Sequence, residues 1–351
     1  MGDITEKLQQ QVRNAFLERT PLRIQAGNSK HFLGNPAEGE LLDVRPHSGI
    51  ISHEPTELVL TARAGTPLSG VEEALAQQGQ MLSFEPPHFG GEATIGGAIA
   101  AGLGGPRRPW GGAPRDLVLG VKLLNGEGQV LSFGGQVMKN VAGYDISRLM
   151  AGSLGVLGVI LEVSLKVLPA PPKTRTLMLE RTHADAAREM RELCRKPLPL
   201  SGLCYLDGRL YVRLAGSHAS VNAWKKRLGG EEVAEHNTFW QRLRDHQLDF
   251  FQRNQTLWRV SVGGNTPRMS FEEESLLDWA GAQRWVYASA KPQDIRDEVA
   301  AKGGHAQAFR NANQVDVFQG MDPLLLGLHQ RLKAHFDPHA IFNRQRLFPH
   351  D

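Results

Sequence analysis

Glu85-Pro-Pro87-His-Phe-Gly90-Gly91-Glu-Ala-Thr94-Ile95-Gly96-Gly97-Ala-Ile-Ala-Ala-Gly102 is the stretch on which the fold turns. Two prolines stiffen its entry, and small residues then follow for two turns, so backbone can pack against a flat ligand with no Cβ in the way. Two further segments repeat the pattern. Pro21-Leu-Arg-Ile-Gln25-Ala26-Gly27-Asn28-Ser29-Lys30 is a short strand running into a loop of small polar residues. Its N–H groups could form an anion-binding nest, or it could be a hydrogen-bonded turn. Gly152-Ser153-Leu-Gly155-Val-Leu-Gly158-Val159-Ile160 places glycine at every third position before an alternating strand, which close backbone packing also explains. Of the 38 glycines, 26 fall in residues 1–170 and 18 of those between Gly90 and Gly158, so this half is built for tight backbone.

The usual nucleotide motifs are missing. A dinucleotide βαβ unit needs G-x-G-x-x-G and a P-loop needs G-x-x-x-x-G-K-[ST]. Gly102-Leu-Gly104 comes nearest, but Arg107 stands where the third glycine should be. The chain has 351 residues, 41% hydrophobic and 22% charged, the composition of an ordinary globular protein. Its net charge of +3, with no long block of like charges, argues against a nucleic-acid partner. No run of about 18 apolar residues could cross a membrane, and Ile4, Leu8, Val12 and Phe16 read as an amphipathic helix rather than a signal peptide. A cytoplasmic protein is expected. Cys194 and Cys204 are the two cysteines, and an iron–sulfur cluster normally needs about four thiolates, so the chain cannot build its own cluster.

Strands are expected at 41–44, 57–64, 116–124, 129–133 and 159–168, with a hairpin or short loop at Asn125-Gly126-Glu127-Gly128 and a helix over 68–78. Pro169-Ala-Pro-Pro-Lys173 reads as an extended linker. Beyond it, strands at 203–205, 210–214, 258–262 and 284–287 alternate with helices at 219–228, 237–246 and 292–302, a small sheet covered by helices. The expected fold class is α+β. Its domains are a cofactor domain over 1–170, a smaller cap, substrate or subunit-contact domain over 171–335, and a C-terminal segment, 336–351, returning to the first.

Taken in order, the motifs resemble the FAD-binding domain of the vanillyl-alcohol oxidase / p-cresol methylhydroxylase (PCMH) flavoprotein superfamily. They are Thr94-Ile-Gly96-Gly97, Arg115-Asp116-Leu-Val118-Leu-Gly120, Lys139-Asn140-Val-Ala-Gly143-Tyr144-Asp145, Gly152-Ser153-Leu-Gly155-Val-Leu-Gly158-Val-Ile160 and Asp337-Pro338-His-Ala-Ile341-Phe342-Asn343. Within it, Gly27-Asn28-Ser29-Lys30, Gly105-Pro-Arg-Arg-Pro-Trp110, Gly134-Gly-Gln-Val-Met-Lys-Asn140 and Ser201-Gly-Leu-Cys-Tyr205 resemble the FAD-binding E subunits of bacterial glycolate oxidases.

That resemblance implies oxidation of glycolate, a 2-hydroxy acid, to glyoxylate within a complex. Hydride passes to flavin, and the partners are a second FAD-binding catalytic subunit and an iron–sulfur subunit, with peripheral attachment at the inner membrane through them. It also implies that Gln25, Ala26, Gly27, Asn28 and Ser29 wrap the pyrophosphate and that Thr94, Gly96 and Gly97 lie along the flavin and phosphates. Ser153, Gly155 and Ile160 would follow the ribityl or adenine portion, and Asn343 would reach the flavin edge. Pro87, Ile95, Gly102, Arg115, Asp116, Tyr144, Gly152 and Val159 complete the implied set. Relatives often tether FAD to a histidine in the first loop; none precedes His31 here, so FAD is expected to be non-covalent.

Related 2-hydroxy-acid dehydrogenases carry a G-H-x-G-D-G-N run, reduced here to Gly303-Gly304-His305-Ala306-Gln307-Ala308-Phe309. The chain is therefore expected to contribute less to glycolate chemistry than its flavin partner. Removing hydride from a hydroxy acid needs a base and a cation for the carboxylate, and His305 with Arg310 is the pair nominated, against a plain loop histidine. Arg107 and Arg108 beside Trp110 read as an anion or subunit contact, or as solvated surface. No metal site is expected. The competing readings are a stand-alone D-lactate or 2-hydroxy-acid dehydrogenase and a non-catalytic assembly subunit on a degenerate flavin fold.

Overall fold

The computed structural model describes residues 2–135, 145–312 and 315–347. They form two compact units, one from Met1–Gly104, Ala113–Ala170 and Gly320–Asp351, the other from Gly105–Gly112 and Pro171–Gln319. The architecture is α+β. Among the described residues, no helix is long and apolar enough to cross a membrane.

In the first unit, β1 (Leu22–Gln25) pairs in parallel with β2 (Glu40–Asp43). The main sheet is antiparallel: β3 (Ile50–Glu54), β4 (Val59–Arg63), β6 (Val118–Leu124), β7 (Val130–Gly134) and β8 (Val159–Lys166), in spatial order β3-β4-β8-β6-β7. A short pair joins β5 (Gln80–Met81) to β9 (Leu168–Pro169). Along β8, Leu161, Val163 and Leu165 enter the core as the alternation requires. Ser164 is also buried, its hydroxyl 2.9 Å from that of Thr61 across β4, while Glu162 pairs with Lys122 at 2.7 Å. The 125–128 link is a hairpin loop in which the Asn125 side chain accepts the N–H groups of Glu127 and Gln129. Helix Thr5–Glu18 buries Leu8, Val12 and Ala15, and helix Leu68–Gln77 buries Leu68, Val71 and Leu75.

Helix Pro323–Phe336 belongs to this unit, whereas the sequence reading gave those residues to the second. The reason is a buried charge. Lys333 Nζ lies 2.8 Å from Asp337 Oδ2 and donates to the carbonyls of Val156 and Phe342. Asp337, fully buried, also accepts the N–H groups of Ile341 and Phe342. A carboxylate and an ammonium taken out of water hold only when their remaining bonding capacity is used, and here it turns the chain back onto β1, where Leu22 donates to Ile341 O at 2.7 Å.

The second unit is one antiparallel eight-stranded sheet, larger than the small sheet expected. Its strands are β10 (Lys173–Glu180), β11 (Leu200–Leu206), β12 (Arg209–Gly216), β13 (Glu231–Glu232), β14 (Leu257–Ser261), β15 (Glu274–Asp278), β16 (Gln283–Tyr287) and β17 (His305–Arg310), in spatial order β13-β10-β12-β11-β15-β16-β14-β17. Lys173, read as the end of a linker, begins β10. Helices His183–Cys194 and His218–Leu228 cover one half through Ala186, Met190, Leu193 and Val221; helix Pro292–Ala300 covers the other through Ile295 and Val299. Trp110 packs against the first of these clusters, which explains why 105–112 joins this unit.

Asp337→Asn removes the counter-charge of Lys333. A buried pair broken on one side costs about 3–5 kcal/mol, so the urea midpoint should fall, and adding Lys333→Met should recover part of the loss. Stability should also depend on pH. Burial, followed by the guanidiniums of Arg268 and Arg284, holds His183 down to about 4 from 6.5. Burial also depresses His47 and His246. The unfolded chain therefore takes up these protons first, so stability is complete above pH 6.5 and drains as pH falls through the window to about 4. His183 alone contributes at most about 3 kcal/mol. Melting temperature against pH checks this, and His183→Gln should flatten the slope.

Candidate functional site

β1, the loop after it, helix Ile95–Ala101 and the segment entering β8 enclose a cavity of about 540 Å³, built wholly from the first unit. Its rim is fixed by close approaches. A Cβ on Gly27 would stand 1.4 Å from the Glu92 carbonyl oxygen, so no other residue fits there without moving backbone. Asn28, next in line, is left-handed at φ 56°, which bends the loop around the cavity mouth. Thr94 Oγ accepts the Gly97 N–H at 3.2 Å and caps helix Ile95–Ala101, while Gly96 N donates to Ala64 O at 2.9 Å. Gly155, at φ 77°, faces the Asn343 amide across 2.8 Å measured from where its Cβ would be.

Asn343 stitches three walls together. Its Oδ1 accepts Ile24 N–H at 2.8 Å, its Nδ2 donates to Leu154 O at 2.7 Å, and its own N–H donates to Leu22 O at 3.0 Å. Asn343 (φ 41°) and Gln345 (φ 60°) are both left-handed, which turns the chain here.

Of the nominated cofactor residues, Gln25, Ala26, Gly27, Asn28, Ser29, Thr94, Gly96, Gly97, Gly155, Val159, Ile160 and Asn343 line the cavity. Others serve the walls. Ile95 is buried in the core, and the Ser153 hydroxyl closes its own turn on Met150 O at 2.9 Å. Gly102 and Gly152 meet each other, a Cβ on Gly102 standing 2.8 Å from Gly152 Cα. Pro87 is buried but outside the lining. Arg115 and Asp116 lie on the surface, 3.7 Å apart and outside the lining, where Asp116 accepts Ala113 N–H and caps a short turn. Tyr144 lies outside the described residues.

Sequence reasoning did not nominate the basic residues. Arg23, Lys30, His31 and Arg346 also line the cavity. Arg23 Nη1 is 2.5 Å from Gln25 Oε1, and Arg346 donates to the carbonyls of Asn35 and His31 at 3.1 and 3.0 Å. Burial, with Arg23 nearby, pushes the Arg346 guanidinium below its ordinary range. Arg23 and Lys30 stood inside a quoted segment; Arg346 is 317 residues beyond Ser29 (346 − 29) and had no local signal. Apolar Val44, Ala64, Ala100, Val159 and Ile160 form the deeper wall. Cations and a glycine loop at the rim with a smooth apolar interior suit a flat ring system attached to a diphosphate, the chemistry of FAD.

His305 and Arg310 lie in the second unit at opposite ends of β17, five residues or roughly 16 Å apart along a strand. They cannot clamp one small hydroxy acid, and His305 is a strand residue rather than a loop one. Among the described residues, no group of three or more His, Cys, Asp or Glu side chains is placed to hold a metal.

The model of the FAD binding domain family matches residues 4–134. Glycolate oxidase subunit GlcE of Escherichia coli (strain K12) is 49% identical over 346 residues, covering 99% of this chain and 98% of that protein. Glycolate oxidase subunit GlcD of Bacillus subtilis (strain 168) is 32% identical over 174 residues, 49% of this chain and 37% of that one. The crystal structure of p-cresol methylhydroxylase with substrate bound is 15% identical, with a TM-score of 0.72, and the match covers 99% of this chain and 88% of that one; it shows the fold. The motif order, the cavity and near full-length identity agree: the chain belongs to the glycolate oxidase subunit GlcE family, FAD-dependent oxidoreductases with a PCMH-type fold.

Proposed function

We propose that this chain is the FAD-holding E-type subunit of an assembly that oxidises glycolate to glyoxylate, working with a second flavin subunit and an iron–sulfur subunit. The observation that carries this is identity of 49% across 98% of a glycolate oxidase subunit. The chain's own residues divide the work of holding the cofactor. Arg23, Lys30 and Arg346 supply positive charge at the rim for the diphosphate, and the Gln25–Ser29 loop gives backbone access to it. Val44, Ala100, Val159 and Ile160 exclude water from the ring system, and Asn343 keeps the walls in register. FAD, when bound, supplies a two-electron hydride acceptor.

Electrons must then leave the chain. Cys204 is fully buried and burial pushes its thiol up, while Cys194 has no second thiol beside it in the sequence; two thiols are too few for a cluster of the usual kind. An iron–sulfur partner is the natural acceptor, and any approach to the inner membrane face runs through such partners.

The test is flavin content and turnover together. Purified chain should be yellow, with FAD released intact on acid precipitation, and Gly27→Ala should lower FAD affinity by about tenfold or more, since displacing packed backbone costs on the order of 1–3 kcal/mol. The assembly carrying Gly27→Ala should show reduced glycolate-dependent dye reduction, restored at high FAD. Full turnover with a colourless subunit would sink the proposal.

A further inference from the structure

One face of the second unit's sheet carries polar residues beside an aromatic group in which His246 stacks on Phe251 and packs against Trp285 and Phe309. On β14, β16 and β17 the residues directly opposite one another share a face: Arg259 faces Gln307 on one side and Trp285 on the other, and Ser261 faces His305 and Gln283. The reverse face carries Trp258, Val260, Val286, Ala306 and Ala308 into the apolar cluster under helix Pro292–Ala300. The polar residues therefore do not face helix Pro292–Ala300.

Arg259 is the centre of this face. Its Nε donates to Gln283 Oε1 at 2.9 Å, and its guanidinium lies 5.5 Å from the Trp279 ring. Among the described residues, no carboxylate comes within ion-pair distance of it. Asp278, the nearest acid, gives its oxygens to Trp279 N–H at 2.8 Å and to Gln283 Nε2 at 3.5 Å. Burial, then the neighbouring Arg108, brings Arg259 down to about 10. A guanidinium keeps its charge there at neutral pH, so the face holds a cation with two terminal nitrogens uncommitted.

A second donor stands beside it. Gln307 is 8% exposed, and its Nε2 is buried without a hydrogen-bond partner among the described residues. Leaving such a group unpaired costs about 1–3 kcal/mol, which a polar ligand would recover. Arg108 also lies over the Trp279 ring, 4.5 Å from it, and the indole N–H donates to Gly105 O at 3.0 Å. Trp279, Ala280 and Gly281 are all left-handed, at φ 53°, 58° and 85°. A bulky aromatic held so is a true outlier, and such strain gathers where a ligand platform is fixed in place.

We infer that Arg259 and Gln307 form a binding site for a small carboxylate, the fork of Arg259 taking the carboxylate oxygens and Gln307 Nε2 donating beside it. That the carboxylate is a 2-hydroxy acid rests on the proposed function. His305 stands diagonal to Arg259 on the same face, about 7–8 Å away, where the hydroxyl end of such a molecule falls. The sequence pairs His305 with Arg310 on its own strand; this proposal takes the cation from the neighbouring strand, as Arg259.

Calorimetric titration of the full chain with glycolate, and with acetate as a probe lacking the hydroxyl, tests the site. One carboxylate should bind per chain. Arg259→Lys, which keeps charge but loses the fork, should weaken it at least about tenfold. Gln307→Glu places an internal carboxylate opposite Arg259 and should abolish binding while leaving the side-chain shape intact. FAD content, read near about 450 nm on the same samples, should not change, since the cofactor cavity lies in the other unit. No binding by the wild-type chain, or equal binding by both variants, overturns the inference while a yellow protein leaves the proposed function standing. A colourless chain that still binds carboxylate through Arg259 supports the site and removes the flavin role instead.

Discussion

The buried Lys333–Asp337 pair is the constraint from which the cofactor cavity follows. It fixes where helix Pro323–Phe336 ends and which way the chain turns, and so it delivers Ile341, Phe342 and Asn343 to the edge of β1. Asn343 then ties Ile24 to Leu154, two walls more than a hundred residues apart in sequence. Gly126 belongs to the same arrangement: a Cβ there would stand 2.5 Å from Asp337 Oδ1. Thus the D-P-x-x-I-F-N motif is a clamp first, and its asparagine lines the cavity as a consequence.

The cavity was legible where its requirements are local. Gly27, Gly96, Gly97 and Gly155 announce themselves because backbone must approach backbone or ligand, and Thr94 because a cap needs a short oxygen-bearing side chain. The same logic misled at Gly102 and Gly152. Glycine needed for contact between two chain segments looks no different in sequence from glycine needed for a ligand. The cationic rim was not legible at all as a set, since Arg23, Lys30 and Arg346 come together only when the C-terminal segment folds back.

In the second unit, strands rich in branched and aromatic residues were found and others were not. Leu257–Ser261 and Gln283–Tyr287 carry Trp, Val and Tyr, whereas Glu274–Asp278 begins and ends on acids and His305–Arg310 has no β-branched residue. The latter two are strands through pairing with neighbours, not through propensity. The face they complete could not be seen without their register, which sets His305 and Gln307 opposite Ser261 and Arg259.

The eight residues Gly105–Gly112 are embedded among contacts of the second unit although they interrupt the first. The chain thus passes between units four times. A linear break at residue 170 would strip Trp279 of its carbonyl acceptor at Gly105 and the apolar cluster of Trp110. Neither unit is a transferable module in the genetic sense. Recombination that exchanged the second unit among relatives would have to carry two separate stretches of coding sequence.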